Sequence, residues 1–202
     1  MSLSINQPDG YLELILGPMF SGKTTRLIQH YKAYKYIGKK IVVINYSLDT
    51  RYSETSLSSH DRVEIPCVFT SALADESLWI DADVILINEG QFFNDLYECV
   101  SIMVEKLHKK VYICGLDGDY RRKKIGQMLD LIPICDSLVK LTSKCSLCSD
   151  IALFSYRKSD DVEQYVIGSS DVYLPLCRHC YLSMESTLWI KIITIHIIDV
   201  II

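Results

Sequence analysis

The segment Gly17-Pro18-Met19-Phe20-Ser21-Gly22-Lys23-Thr24 limits what this chain can fold into more than any other stretch. It fits the pattern G-x-x-x-x-G-K-[S/T], which works only between a buried strand and the start of a helix. Both neighbours are present. Tyr11–Leu16 (YLELIL) reads as a buried strand, and Lys23–Ile37 has helix length and is stopped by Gly38. Glycines let the backbone wrap a phosphate, and the loop N–H groups and the helix N-terminus turn partial positive charge toward it. In that geometry Lys23 reaches the β- and γ-phosphates of a nucleoside triphosphate and Thr24 holds Mg²⁺. A chance match on a strand-to-helix turn is the alternative, and the strand and helix in register argue against it. The motif says that ATP binds; it is silent on where the γ-phosphate goes.

The rest of the first 142 residues repeats the same grammar. Lys40–Tyr46, Asp83–Asn88, Lys110–Leu116 and Ser137–Leu141 are short runs rich in Ile and Val, as expected for strands covered on both faces. Phe93–His108 reads as a further helix. Strands alternating with helices imply right-handed crossovers and a mostly parallel sheet. The expectation is an α/β P-loop fold of the RecA-like kind, with helices flanking the sheet.

After about Thr142 the pattern becomes short, with turn residues and cysteine pairs, so the chain divides into 1–142, 143–182 and an apolar tail, 183–202. Of eight cysteines, Cys145/Cys148 and Cys177/Cys180 form two C-x-x-C knuckles separated by a 28-residue insert. Four thiolates at that spacing suit a tetrahedral structural zinc, with every ligand position filled by protein. Disulfides belong to a secreted chain, and the start MSLSINQPDGYLE has no charged stretch followed by an apolar run, so the reading is cytoplasmic. The tail Leu188–Ile202 is too short to span a bilayer and is interrupted by Lys191, His196 and Asp199. The formal net charge of −4 counts against a nucleic-acid-coating surface, which needs a basic stripe. No membrane and no nucleic-acid partner are expected.

The strand Asp83–Asn88 runs into Glu89-Gly90-Gln91-Phe92-Phe93. An acid at the end of a buried strand lies where such folds bind ligands. It can take a proton from a substrate hydroxyl, although a solvated turn glutamate is the commoner fate of this residue type.

Taken together, GPMFSGKT, LDTRYS (Leu48–Ser53), INEGQFF (Ile87–Phe93), LDGDYRRK (Leu116–Lys123) and the two cysteine pairs resemble the type II thymidine kinases, in order and from about Tyr11 to Tyr181. The resemblance implies that Glu89 is the general base for the nucleoside 5′-hydroxyl, and that Gly17 to Thr24 bind ATP with Lys23 and Arg51 as catalytic cations. Asp49 joins Thr24 near magnesium. It implies that Met19, Phe92, Leu116 and Tyr120 pack around the pyrimidine, the family often having Phe at the last position. Arg157 lies at the start of a closing loop, in which Gln164, Tyr165, Val166, Ile167 and Gly168, with Tyr173, cover the nucleoside. The implied reaction is ATP plus thymidine to ADP plus dTMP, in a homotetramer inhibited by dTTP, with Mg-ATP and structural zinc as cofactors.

This chain departs from the family pattern in three places. Asn88 stands where the family commonly has Asp, which moves metal binding onto Thr24 and Asp49. Ser169 stands where a second glycine is expected in the closing loop. The tail beyond Tyr181 matches nothing. His30, His60 and His108 lie among polar residues and read as exposed, and Arg121–Lys124 as a solvated basic loop. Three other functions are compatible with parts of this pattern: a kinase of broader pyrimidine specificity, a zinc-ribbon P-loop ATPase acting on nucleic acid, and a nucleotide-binding regulator without turnover.

Overall fold

A computed structural model describes residues 9–47, 56–58, 63–159, 161–166 and 171–186. Its centre is a six-stranded sheet with every pairing parallel. The strands are β1 (Tyr11–Leu16), β2 (Ile41–Tyr46), β5 (Val68–Thr70), β6 (Val84–Ile87), β7 (Lys110–Gly115) and β8 (Ser137–Lys140), in the order β5-β2-β6-β7-β1-β8. Two short strands, β3 (Ser56–Ser58) and β4 (Glu64–Pro66), form a hairpin outside it. Five of the six central strands are those the apolar runs predict. The sixth, β5, is three residues long and gives no periodic signal; it forms because its backbone completes the open edge of β2.

Alternation along the strands divides the core in two. Leu12, Leu14 and Leu16 of β1 join Ile85, Ile87, Val111 and Ile113 on one face, under Phe93, Leu96, Val100, Met103, Met128 and Leu131. Ile15 joins Val43, Val84, Leu86 and Tyr112 on the other, under Leu27, Ile28 and Tyr31 of helix α1 (Lys23–Tyr36). Fully burying each such side chain stabilises by roughly 1.5–3 kcal/mol. Both faces are therefore covered, as a parallel sheet requires. α1 ends where predicted: Gly38 takes φ 74, and its N–H and that of Lys39 return to Lys35 O and Tyr34 O.

The expected helix Phe93–His108 is shorter and less regular. A tight turn, Gly90–Phe92, follows Glu89, and Phe93 is extended at φ −82, ψ 118. Helix α2 spans Leu96–Ser101 and widens into a π-helical turn, Ile102–Lys106. Asp95, just before α2, sends a carboxylate oxygen to the N–H groups of Leu73 and Ala74, at 2.7 and 2.9 Å, and so holds the chain away from helical geometry there.

Beyond β8 lie two small antiparallel pairs. β9 (Ser143–Lys144) pairs with β10 (Ile151–Ala152), and β11 (Phe154–Arg157) with β12 (Tyr173–Leu176); residues 178–186 are helical. They enclose their own small core of Ala152, Tyr156, Leu176, Tyr181 and three cysteines. Among the described residues no helix is long and apolar enough to cross a membrane.

Candidate active site

Parallel strands bring their carboxyl ends to one edge, so the loops after β1, β2, β6 and β7 meet there. After β1, Phe20 and Gly22 adopt left-handed conformations, φ 63 and φ 83, and α1 begins at Lys23 with no side-chain cap. The first-turn N–H groups are therefore presented to an anion. Lys23 is 8% exposed and its ammonium donates to Pro18 O at 2.7 Å, curling over the loop. The Ser21 hydroxyl is buried with no hydrogen-bond partner among the described residues. A phosphate oxygen would satisfy it, so these residues fit a nucleotide phosphate.

The loop is also braced from the cysteine-bearing unit. Met19 N–H donates to Ser155 Oγ at 2.9 Å, and Ser143 Oγ donates to Phe20 O at 3.0 Å. Met19 N–H is thus committed to β11, and sequence alone gave no sign of Ser155 in the site.

The Thr24 hydroxyl donates to Asn88 Oδ1 at 3.4 Å. Asn88 is 2% exposed; its Nδ2 donates to Asn45 Oδ1 at 2.8 Å, and Cys114 Sγ donates to its Oδ1 at 2.9 Å. The ends of β2, β6 and β7 are thereby joined behind Thr24 by uncharged groups. The donor set at Thr24 is hydroxyl and amide oxygen, which suits a hard cation such as Mg²⁺. Next in sequence, Glu89 is half-buried in a left-handed conformation at φ 53, and it accepts from Gln91 Nε2 at 2.6 Å.

Aromatic rings wall the space beside Glu89. The Phe92 ring lies 5.3 Å from Tyr46 and 5.0 Å from Tyr165. Tyr165 belongs to the loop read as a closing segment, and three bonds fasten that loop across the site. Gln164 Nε2 donates to Asp119 Oδ2 at 3.3 Å and to Lys124 O at 3.0 Å, and Arg121 donates to Val162 O. Tyr173, 6% exposed, accepts from Val166 N–H at 3.1 Å and donates to Val166 O at 3.0 Å. Arg157, 4% exposed, donates to Asp161 O, Glu163 O and Gln164 O and to the Tyr173 hydroxyl, and its guanidinium lies 3.9 Å from the Tyr120 ring centroid. Its charge serves the loop itself.

The structure thus brings Met19, Lys23, Thr24, Glu89, Phe92, Leu116, Tyr120, Arg157, Gln164, Tyr165, Val166 and Tyr173 to one edge of the sheet. Asp49, Arg51, Ile167, Gly168 and Ser169 lie outside the described residues, as do His60 and everything after residue 186. Asn45, Tyr46, Cys114 and Ser155 belong to the same edge and lie in none of the family motifs, whereas Gln91 and Asp119 lie inside INEGQFF and LDGDYRRK with no role assigned to them. Asp119 is the second of two acids in LDGDYRRK, and its Oδ1 accepts from the N–H groups of Arg121 and Lys123. The basic run is internally engaged, with Arg122 paired to Glu185 at 3.1 Å and Lys124 to Asp130 at 2.5 Å. His30 is not exposed: it stacks on Tyr112 at 4.2 Å and lies 3.3 Å from Glu13.

The sulfurs of Cys145, Cys148, Cys177 and Cys180 all lie within 4.8 Å of one another, with Cys148 and Cys177 3.6 Å apart. That spacing fits a single tetrahedral ion with metal–sulfur bonds of about 2.3 Å. Burial pushes the Cys145 thiol up, but the backbone N–H groups of Cys177, Leu147 and Cys148 outweigh it and bring it down to about 6, toward the thiolate a metal needs. Beside the cluster, burial raises the Tyr181 phenol to about 12, which keeps it a donor to Tyr120 O.

A nucleotide loop on the first strand, a carboxylate two strands away on the same edge and a four-cysteine ribbon packed over the loop define a P-loop α/β fold with a zinc-ribbon appendage. The family model for thymidine kinase matches residues 10–181. The chain is 42% identical over 180 residues to "Thymidine kinase a" of Arabidopsis thaliana, covering 86% of this chain and 76% of the relative. It is 41% identical over 175 residues to the thymidine kinase of vaccinia virus (strain Western Reserve), covering 86% of this chain and 97% of that one. With "Thymidine kinase, cytosolic" of Cricetulus griseus it shares 41% over 180 residues, covering 88% and 75%. The chain belongs to the thymidine kinase family.

Proposed function

We propose that this chain is an ATP-dependent thymidine kinase that makes dTMP from thymidine. The family match across residues 10–181 carries the reading, supported by Glu89 following Asn88, which accepts from Thr24 at the end of the nucleotide loop. The zinc-ribbon ATPase acting on nucleic acid is disfavoured by that match, and no observation here favours it.

In the reaction, the closing loop and the Phe92 and Tyr165 rings hold the nucleoside and exclude water, which limits hydrolysis of ATP. Glu89 accepts the proton of the 5′-hydroxyl as its oxygen attacks the γ-phosphorus. The new O–P bond forms while the bond from the γ-phosphorus to the β–γ bridging oxygen breaks, and ADP leaves with that electron pair. Lys23 and the first-turn N–H groups of α1, with Arg51, neutralise the phosphate charge. Thr24 and Asp49 are the residues that would hold Mg²⁺, which when bound would supply further neutralisation of the phosphate charge. Met19, Leu116 and Tyr120 complete the base pocket, with Gln164 to Gly168 and Tyr173 as its cover.

The four cysteines are assigned a structural zinc that anchors both ends of the closing loop. The divisions 1–142, 143–182 and 183–202 then correspond to kinase core, zinc unit with closing loop, and tail. A homotetramer, inhibition by dTTP and a cytoplasmic location follow from family resemblance alone. The test is formation of dTMP from Mg-ATP and thymidine, followed by chromatography, with Glu89→Gln in parallel. The proposal requires dTMP from the wild type and near-loss of turnover in a folded variant. ATP binding without monophosphate from thymidine or deoxyuridine would sink it.

A further inference from the structure

Gln91, which has no assigned role in the phosphoryl transfer, is a buried polar side chain at the site, at 3% exposure. Its amide has two engaged ends. Oε1 accepts the Leu116 N–H at 3.0 Å, and Nε2 donates to Glu89 Oε2 at 2.6 Å. The orientation is not arbitrary. A backbone N–H can only donate, so the atom facing Leu116 must be the oxygen, and that leaves the NH₂ facing the carboxylate.

Two glycines make room for it. A Cβ on Gly115 would stand 2.5 Å from Gln91 Oε1, and one on Gly126 would stand 2.0 Å from Gln91 O, where the backbone already holds φ 55. The end of β7 therefore closes on the side-chain amide of Gln91, and the turn before Met128 closes on its backbone. The carboxylate it holds sits on a left-handed residue, a backbone conformation uncommon outside glycine.

We propose that Gln91 is a positioning residue for phosphoryl transfer: it holds the Glu89 carboxylate at a set distance from the Leu116 backbone, linking the base pocket to the proton acceptor. The proposal rests on the reading of Glu89 as general base. Leu116 lines the pyrimidine end of the nucleoside and Glu89 receives the 5′-hydroxyl proton, so the glutamine acts as a ruler between the two ends of one substrate. Donation from a neutral amide also favours the ionised carboxylate, the form that can accept a proton.

Gln91→Glu separates these functions. It keeps an acceptor for Leu116 N–H, removes the donor to Glu89 and adds a like charge. The expected result is a fall in kcat of about 10- to 100-fold, as for a catalytic group displaced by about 1 Å. The acid limb of the kcat/KM profile moves up by about one pH unit, and the KM for ATP stays within about two-fold. A purely structural role lowers activity without moving the limb, and an unshifted limb overturns the proposal. If Gln91→Glu fails to give a cooperative melt, Gly115→Ala displaces the same amide without changing a polar group. The same upward shift is then expected, and its absence also overturns the proposal. Glu89→Gln is measured alongside. An active Glu89→Gln enzyme removes the base reading itself, whereas an inactive one with an unshifted Gln91→Glu profile removes only the positioning role.

Discussion

The guanidinium of Arg157 lies 3.9 Å from the Tyr120 ring centroid and 5.4 Å from that of Tyr173, and sends its N–H groups to three carbonyls of one loop. A planar fork makes this arrangement and an ammonium cannot, because only the fork stacks and donates in several directions at once. Arg157→Lys is therefore expected to loosen the closing loop while leaving the nucleotide loop alone. Losing two or three bonds at about 1 kcal/mol each predicts a thymidine affinity roughly 10- to 100-fold weaker. Calorimetric titration with thymidine, and with ATP as the control, checks it; equal weakening of both ligands would point to general unfolding instead.

The amide of Asn88 donates to Asn45, and an aspartate at position 88 could not. Asn88→Asp retains acceptors for Thr24 and Cys114 but sets a carboxylate against Asn45 Oδ1 unless that amide turns over. The variant is expected to lose about 1–2 kcal/mol of stability. In exchange, a negative charge near the Thr24 hydroxyl should lower the Mg²⁺ concentration for half-maximal turnover by roughly three- to ten-fold. Thermal melts and a magnesium titration read the two effects separately, and a lower melting point with unchanged magnesium dependence refutes the electrostatic part.

His30 is held neutral chiefly by burial, which outweighs the pull of Glu13 toward the charged form, and Arg26 adds to the depression. Its proton therefore binds the unfolded chain better than the folded one. Stability attributable to His30 is complete above the ordinary histidine pKa of about 6.5 and is lost as pH falls below it. Replacing it by Gln should flatten the decline in melting temperature between about pH 6.5 and 5 by a few degrees. An unchanged slope would show that other groups cause the decline.

The cysteine unit has its own core, separate from the two that flank the sheet. One zinc per chain is expected by elemental analysis. Removal by chelator should open residues 143–186 to protease and abolish thymidine binding, with ATP binding weakened far less. Among the described residues, two hydrogen bonds brace Met19 and Phe20 from this unit, worth about 1 kcal/mol each. Loss of ATP and thymidine binding in parallel would mean that the nucleotide loop depends on the ribbon more heavily than those two bonds allow.

Local patterns carried the parts that local chemistry decides. The loop Gly17–Thr24 announced itself because phosphate wrapping demands glycine at fixed spacing, and the cysteine pairs because a tetrahedral ion demands four sulfurs. Val68–Thr70 was invisible, since three residues have no period and their pairing is chosen by the open edge of β2. Gln91 carries no signal of its own for a related reason: inside INEGQFF it is one polar residue among several. Only the approach of Gly115 and Gly126 from far along the chain makes it a fixed point. His30 looked solvated by its sequence neighbours, and helix α1 turned it onto Tyr112.

The position of β1 has a consequence for how the protein is made. It pairs on one side with Lys110–Gly115 and on the other with Ser137–Lys140, and with neither β2 nor any other strand near it in sequence. On the ribosome, the first strand must wait, apolar and without ladder partners, until Lys110–Gly115 has emerged, and its second edge stays open until Ser137–Lys140 follows. Its pairings close loops of about a hundred residues, which makes collapse slow and leaves YLELIL open to chaperones or to aggregation meanwhile. A nascent chain cut short before Ser137 carries the nucleotide loop on a strand with one edge bare, so ATP binding should arise late in synthesis and all at once.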